Sequence, residues 1–99
     1  MQLSQLQKFK RRLLQIAGKH GVKKIYVFGS VARGEAAASN DVDFLIEMDK
    51  DASALGVGGF QFEAQALLGA ALDVVPTFAL HQNTDREFVE AIQAQAIPL

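Results

Sequence analysis

Apolar and polar residues alternate along this chain with two different periods, one helical and one extended. Over residues 2–18, apolar side chains recur every three or four positions between Gln, Lys and Arg, which predicts an amphipathic helix. Residues 24–28 and 72–76 are short apolar runs rich in β-forming side chains, and each predicts a strand. Residues 41–48 predict another strand, because every even position there is apolar and the odd positions begin with Asp41 and Asp43.

Glycines, small polar residues and helix caps predict the segments between these strands. Ser30 is a good N-cap for a short helix that ends near Arg33. In chain order, the further segments are a helix at 30–33, a loop at 34–40, a glycine-rich loop or ragged helix start at 50–59, a helix at 60–68 and a helix from Asn83 or Thr84 to about residue 94. The order α-β-α-β-α-β-α predicts an α/β fold, in which a small mixed β-sheet of about three strands is flanked by helices.

Length and composition narrow the class of protein. A chain of 99 residues is expected to form one domain over residues 1–99, and an apolar content of 49% leaves some apolar surface for a partner. With a net charge of −1 we expect no direct binding of nucleic acid, and the absence of cysteine excludes disulfides and thiol nucleophiles. No apolar run is long enough to span a bilayer and the N-terminus does not resemble a signal peptide, so we expect a cytoplasmic protein that does not enter a membrane.

A Gly-Ser pair stands where the first predicted strand turns into a helix. Without a Cβ at Gly29, a phosphate can approach the backbone closely, and the free N–H groups of a helix start favour an anion. The hydroxyl of Ser30 adds one more hydrogen-bond donor. Taken alone, however, the pair is better explained as an ordinary strand-to-helix turn with a serine cap.

Three aspartates on two predicted strands are candidate ligands of a hard cation. Asp41 and Asp43 are two positions apart on one strand, so both carboxylates point to the same face and together suit Mg²⁺, which prefers oxygen ligands. Asp73 lies in an otherwise apolar strand and needs either water or a partner there, because burying an unpaired carboxylate is costly. The competing interpretations are the solvent face of a half-buried strand for the pair and a strand-edge position in water for Asp73.

The order of the elements tests whether these residues can meet. Gly29 and Ser30 follow the end of the first strand, whereas Asp41 and Asp73 begin the second and third strands. They can meet at one bound metal-triphosphate only if the first two strands are antiparallel and the second and third are parallel. A parallel pair needs a long crossover, usually a helix, and the segment at 60–68 supplies one.

The combined motif resembles the signature of the minimal nucleotidyltransferases of the DNA polymerase β superfamily. In that signature a Gly-Ser is followed, after ten residues, by Asp-x-Asp. Here Gly29 and Ser30 are followed by residues 31–40 and then by Asp41 and Asp43, so the spacing fits. The resemblance implies the polymerase β-like nucleotidyltransferase fold.

Asp73, within the Leu-Asp-Val-Val of residues 72–75, resembles the aspartate of that family's third acidic strand, and the match covers about residues 22–76. The resemblance implies two Mg²⁺ ions, ATP as substrate, and a catalytic role for the aspartates. The site that it implies consists of Asp41, Asp43 and Asp73 at the metals, with Asp73 also helping to deprotonate the acceptor, and of Gly29, Ser30 and Arg33 at the nucleotide. For Arg33 it implies a supporting role, as a structural brace, a phosphate contact, or a salt-bridge partner of Glu35 or another carboxylate.

The resemblance also implies a partner. Small members of this family are often the antitoxin half of a two-protein bacterial module, and they transfer AMP to a tyrosine hydroxyl of a helical HEPN-domain ribonuclease, the toxin. We therefore expect a Mg²⁺-dependent nucleotidyltransferase that moves AMP from ATP to a hydroxyl of a HEPN-domain partner, in a homo- or hetero-oligomer. The alternatives are an inactive binding module that neutralises a partner by contact, and a structural domain whose aspartates only face solvent.

Overall fold

Helices and strands alternate along the chain in the computed structural model, which describes residues 1–34, 41–82 and 85–99. Most of the predicted loop at 34–40 lies outside these residues. In chain order the elements are α1 (Leu3–Gln7), α2 (Lys10–Lys19), β1 (Val22–Phe28), α3 (Gly29–Ala32), β2 (Val42–Met48), α4 (Leu55–Leu68), β3 (Leu72–Pro76), α5 (Thr77–Gln82), α6 (Arg86–Gln95) and β4 (Ile97–Pro98). The predicted α/β class, with a small mixed sheet flanked by helices, is confirmed.

Within the described residues, the strands form one mixed sheet of four in the order β3-β2-β1-β4. β1 runs antiparallel to β2, and β2 runs parallel to β3, which are the directions that the candidate site residues required. α4 makes the crossover between the two parallel strands, as predicted for this part of the chain. The prediction of about three strands missed β4, which pairs with β1, because a strand of two residues is too short to show a period.

β1 begins at Val22, earlier than the predicted start at residue 24. Lys23 and Lys24 are both exposed, which interrupts the alternation expected of a strand. A register shift relative to β2 between Val22 and Lys24 absorbs the extra residue. Ile25 and Val27 are therefore again buried in the core.

The sheet separates two layers of helices. On one face, the even-numbered side chains of β2 pack with α1, α2 and α4 in a large core, where Phe44 and Phe60 are fully buried. On the other face, Leu45 packs with Leu80 of α5 and Ile92 of α6 in a smaller core. The odd-numbered side chains of β2, which include one of the candidate aspartates, therefore face the thinner layer.

Two predicted helices of the larger layer, the first helix and the crossover helix, differ from the helices of the structure in their bounds. The helix predicted at 2–18 is two helices, because i→i+3 hydrogen bonds from the N–H groups of Lys8 and Phe9 tighten the chain between α1 and α2. α4 begins at Leu55 and not near residue 60, so part of the glycine-rich stretch predicted as a loop or a ragged helix start is helical. No predicted element corresponds to α5.

Asp85 caps α6, and its side chain accepts a hydrogen bond from the Phe88 N–H at 3.2 Å. The predicted caps, Asn83 and Thr84, lie outside the described residues. Ile92 of this helix is buried, whereas Phe88 is 45% exposed. The last helix is therefore present as predicted, but it exposes the aromatic side chain of Phe88 to solvent.

Each helix in the described part of the chain is too short or not apolar enough to cross a membrane. The longest of these helices, α4, has 14 residues. At about 1.5 Å per residue it is about 21 Å long, whereas the hydrocarbon core of a bilayer is about 30 Å thick.

Candidate active site

The turn between β1 and α3 brings the backbone of Gly29 directly against a carboxyl group. Gly29 has a φ of +73°, a conformation that favours glycine. A Cβ added here would overlap the carboxyl oxygen of Asp43 and would lie 3.1 Å from its Cγ. The sequence argument explained this glycine by the approach of a phosphate, and the structure adds a nearer cause, which is the protein's own aspartate.

Ser30 lies inside α3 and not at its N-cap, which is Phe28. The predicted capping role of Ser30 is therefore wrong. Its predicted place, beside Gly29 where β1 gives way to a helix, agrees with the structure. The first N–H groups of any helix have no carbonyl partner within it, so this turn presents backbone donors next to the serine hydroxyl.

Asp43 and Asp73 are neighbours across the parallel strands β2 and β3. Their Cα atoms are partners in the register, and Asp73 is close enough to Asp43 to contribute to raising the pKa of that carboxyl group. Asp43 is half-buried and Asp73 is exposed, so the pair reaches from the edge of the smaller core to the surface.

The pKa of Asp43 is raised above its ordinary value of 3.8. Burial is the largest cause, the negative charges of Asp73 and Asp41 come next, and the hydrogen bond with Asp73 adds to the rise. The positive charge of Arg33 acts in the opposite direction. A cation bound beside Asp43 would offset the cost of ionising a buried carboxyl group next to other negative charges. The ionised form of Asp43 therefore favours a positively charged ligand.

Asp41 immediately precedes β2 and is exposed. Its charge reaches Asp43, but in the described ranges no group of three or more His, Cys, Asp or Glu side chains could hold a metal ion. The pair of Asp43 and Asp73 nevertheless fits Mg²⁺. This ion is usually held by one or two carboxylates and completes its coordination with water and substrate phosphates.

Arg33 is exposed at the rim of the site. Its Nη1 donates a hydrogen bond to Oε1 of Gln95 at 2.9 Å, which connects the residue after α3 to the end of α6. This contact agrees with the expected role of Arg33 as a brace. Glu35, a possible salt-bridge partner, lies outside the described residues.

A cleft of about 210 Å³ opens beside the aspartates on the α4 side of the sheet. It is lined by acidic residues of the strands, amide side chains of α4 and the start of β3, namely Asp41, Gln61, Gln65, Ala71, Leu72 and Asp73. Asp41 and Asp73 therefore share a concave surface, which agrees with the prediction that they lie close together.

The chain is similar to known proteins over nearly its whole length. A family model for the nucleotidyltransferase domain matches residues 6–96. The chain belongs to this nucleotidyltransferase family. A protein of Methanocaldococcus jannaschii, described as a candidate protein adenylyltransferase, is 34% identical over 88 residues, which are 88% of this chain and 95% of the relative. The protein adenylyltransferase MntA of Thermococcus cleftensis is 38% identical over 61 residues, which are 62% of each chain.

Solved structures share the fold of this nucleotidyltransferase. One, described as a candidate minimal nucleotidyltransferase, superposes with a TM-score of 0.79 at 31% identity and covers 100% of this chain and 97% of that one. Another comes from a complex of a tri-AMPylated HEPN toxin of Shewanella oneidensis with its MNT antitoxin, with a TM-score of 0.63, 13% identity, and coverage of 93% and 69%. At that identity, the second match shows the fold alone.

The nucleotidyltransferase is an enzyme, and its predicted site residues converge at one end of the sheet. Gly29 and Ser30 follow the end of β1, Asp43 lies opposite Phe28 in the register, and Asp73 lies beside Asp43. The arrangement places backbone donors and carboxyl groups side by side. Donors of this kind suit phosphate oxygens, and the carboxyl groups suit the cation that accompanies them.

Sequence reasoning missed Gln61 and Gln65 of this nucleotidyltransferase. Nε2 of Gln61 donates a hydrogen bond to the carbonyl oxygen of Leu72 at 2.9 Å, and Oε1 of Gln65 accepts one from the N–H of Leu72 at 3.0 Å. A signal for them exists in the sequence, since they are amide residues four apart in a helix that is apolar apart from them and Glu63, and they must share one face. Nothing in the sequence indicated that this face meets β3.

Proposed function

We propose that this nucleotidyltransferase transfers AMP from ATP to a tyrosine hydroxyl of a HEPN-domain toxin, and that it is the antitoxin of that pair. In this proposal the reaction requires Mg²⁺. The observation that carries the proposal is the position of the Asp43–Asp73 pair beside the Gly29 turn, which puts acidic ligands next to phosphate-binding donors.

The names of the relatives support the choice of group and acceptor. Both the Methanocaldococcus and the Thermococcus relatives carry names of protein adenylyltransferases, which move AMP to a protein. Neighbours with the same fold include an MNT antitoxin solved with a tri-AMPylated HEPN toxin, and a toxin–antitoxin complex with the ATP analogue AMP-PNP. These neighbours support the choice of partner through the fold that they share.

The proposed reaction is a displacement at the α-phosphorus of ATP. The acceptor oxygen forms a bond to this phosphorus, the bond from it to the oxygen that leads to the β-phosphate breaks, and pyrophosphate leaves. The acceptor proton passes to a carboxylate. Asp73 is suited to this role because it is exposed and lines the cleft beside the strand ends.

The other site residues bind and orient. Gly29 and Ser30 would hold the β- and γ-phosphates through N–H groups and the hydroxyl, and Asp41 and Asp43 would hold Mg²⁺ with the help of Asp73. When bound, Mg²⁺ would neutralise negative charge on the phosphates and on the leaving pyrophosphate. Because burial and neighbouring charges raise the pKa of Asp43, binding of a cation there should lower this pKa again.

A transfer assay with ATP labelled at the α-phosphate tests this proposal. We expect label on a HEPN-domain partner in the presence of Mg²⁺, and a loss of about a hundredfold or more in Asp43→Asn or Asp73→Asn, since even outer-shell partners of a metal site contribute about 10–100-fold. Asp51→Asn is the matched control, because Asp51 is an exposed aspartate outside the site. Replacing the acceptor tyrosine of the partner by Phe should also abolish labelling.

Label that appears equally with wild type and with Asp43→Asn would contradict the proposed site. The absence of any label on the partner, with the wild-type protein properly folded, would contradict the proposed activity and favour the alternative function.

That alternative is a binding module that neutralises its partner by contact, and one observation favours it. Leu55 and Phe62 are 85% and 75% exposed, which is unusual for large apolar side chains. They are two turns apart on α4 and therefore lie on the same face of this helix. A helical HEPN-domain protein could bury this face.

Separate variants distinguish the two functions. If neutralisation works by contact, Leu55→Ser with Phe62→Ser should release the partner, and Asp41→Ala with Asp43→Ala should leave neutralisation intact. If neutralisation works by AMP transfer, the aspartate variant should lose it. Size-exclusion chromatography of the mixed proteins measures the contact, and the activity of the toxin measures the neutralisation.

A further inference from the structure

Two glutamines of α4 satisfy both backbone groups of a single residue of β3. Gln61 donates to the carbonyl oxygen of Leu72, and Gln65 accepts from its N–H, at 2.9 and 3.0 Å. Leu72 is buried, and it is the residue immediately before Asp73. We call this pair of hydrogen bonds the Leu72 clamp.

The clamp acts at the edge of the sheet, where no strand among the described residues covers β3. The carbonyl of Ala71 accepts a hydrogen bond from the N–H of Val42 in β2. Because backbone groups of successive residues in a strand point to opposite sides, those of Leu72 point away from β2 and toward α4. The clamp therefore takes the place of a neighbouring strand at the position where β3 begins.

The same helix has a second polar contact that does not reach the site. Glu63 lies between the two glutamines in sequence, and Oε1 of this residue accepts from Nζ of Lys19 at 2.7 Å, while Oε2 contacts the ring of His20. Hydrogen bonds from Lys19 and His20 lower the pKa of Glu63. Thus α4 is held by Glu63 to the end of α2 and by the glutamines to the start of β3.

From this arrangement we infer that Gln61 and Gln65 are positioning residues of the nucleotidyltransferase, which act through Leu72 to hold Asp73 in register with Asp43. The inference rests on the proposed role of Asp73 in the transfer reaction. The side-chain amide of each glutamine forms a hydrogen bond with the backbone of Leu72, so the role of the two residues is to set where β3 starts. Displacement of Leu72 along the strand direction would carry Asp73 away from its partner.

The variant Gln61→Met with Gln65→Met tests the clamp. It removes both hydrogen bonds and keeps side-chain length and helix propensity. We expect kcat for AMP transfer to a HEPN-domain partner to fall by about tenfold or more, since a displacement of about 1 Å can cost about a hundredfold. We expect KM for ATP to stay within about twofold, because Gly29 and Ser30 lie outside the clamp.

Glu63→Met is the matched control on the same helix. It removes the contact with Lys19 and His20 but leaves the clamp in place, so it should lower the melting temperature while kcat stays within about twofold. An equal loss of kcat in Glu63→Met and in the double glutamine variant would overturn the inference, because any loosening of α4 would then have the same effect. Full activity of the double variant would overturn it as well.

Hydrogen exchange of the Leu72 amide gives a measurement that does not depend on activity. We expect fast exchange in Gln65→Met, and protection in wild type, in Glu63→Met and in Gln65→Glu, since glutamate keeps an acceptor oxygen. If the wild-type protein transfers no AMP, the proposed function fails. The exchange rates still test whether the clamp holds Leu72. Equal protection of Leu72 in Gln65→Met and wild type would then overturn it.

Discussion

At the scale of single residues, the site depends on the contact between Gly29 and the carboxyl group of Asp43. Because Gly29 has no Cβ, Asp43 lies against the end of β1, in a half-buried position beside Asp73. Burial and the neighbouring negative charges both act against ionisation of Asp43, and its pKa is raised. The surroundings of Asp43 therefore favour either protonation of its carboxyl group or the binding of a cation to it.

The requirement for glycine at position 29 can be tested against a second glycine. Gly29 and Gly34 both have positive φ, +73° and +75°, but a Cβ on Gly34 would meet nothing within 4 Å among the residues that the structure describes. Both Gly→Ala variants should lose about 1–2 kcal/mol of unfolding free energy through the backbone conformation. Gly29→Ala should lose more, and should also lose AMP transfer by about tenfold or more, because it displaces Asp43. Urea denaturation and the transfer assay measure both effects, and equal behaviour of the two variants would show that the contact with Asp43 is unimportant.

The raised pKa of Asp43 makes stability depend on pH in a definite direction. A carboxyl group whose folded pKa lies above 3.8 stabilises the fold fully below pH 3.8, and this contribution is lost as the pH rises through the folded pKa. In EDTA near neutral pH, Asp43→Asn should therefore be more stable than wild type. The variant should also lack the fall in melting temperature that Asp43 is expected to contribute in wild type as the pH rises above 3.8. A variant that melts below wild type throughout this range would contradict the assignment.

At the scale of elements, α4 is the helix that connects the two parallel strands and lines the cleft. Its glycines were expected to interrupt it, but the structure shows why they are compatible with a helix. Gly56 and Gly59 lie against His20, and a Cβ on Gly56 would overlap the carbonyl oxygen of that residue. The glycines therefore let the end of α2 approach α4 closely.

Neighbouring glycines of α4 should respond to alanine in opposite directions. A Cβ on Gly58 would meet nothing within 4 Å, so Gly58→Ala should stabilise the protein by about 0.5–1 kcal/mol through helix propensity. Gly56→Ala should instead destabilise it by about 1–3 kcal/mol, because the added Cβ would overlap backbone that has to move. Thermal and urea melts measure the two values. Stabilisation by both substitutions would mean that α2 does not approach α4 as closely as described.

At the scale of the whole molecule, the topology brings the end of β1 and the starts of β2 and β3 to the same end of the sheet. Antiparallel pairing of β1 with β2 and parallel pairing of β2 with β3 achieve this, and α4 provides the crossover. Residues more than forty positions apart, from Gly29 to Asp73, thus come together at one acidic end of the sheet. Without a cation, this site concentrates negative charge.

Ligand binding should therefore stabilise the whole fold. Mg²⁺ with ATP at about a hundredfold excess over Kd should add about 2.7 kcal/mol to the free energy of unfolding. The rise in melting temperature should vanish in Asp41→Asn and persist in Asp51→Asn, which changes an aspartate outside the site. A melting temperature of the wild type that does not respond to saturating Mg²⁺ and ATP would show that the aspartates do not form a common site.

The sequence alone determined the order of the longer helices and strands, the α/β class and the directions that the strands needed. It did so because hydrophobic periods and motif spacing are local properties, and because Gly29, Asp41 and Asp73 had to reach the same end of the sheet. It could not give the short elements β4 and α5, which contain too few residues to show a clear period. It also placed the helix cap at Asn83 or Thr84, whereas the cap is Asp85.

Only the tertiary structure decided which residues touch. The pairing of Asp43 with Asp73, the overlap that forbids a side chain at Gly29, and the clamp on Leu72 all join different elements. Such contacts depend on register and on how a helix is rotated against a sheet, and neither leaves a pattern within one segment of sequence. The candidate residues of the site could therefore be named from the sequence, whereas their spacing, the raised pKa of Asp43 and the glutamines that hold β3 required the fold.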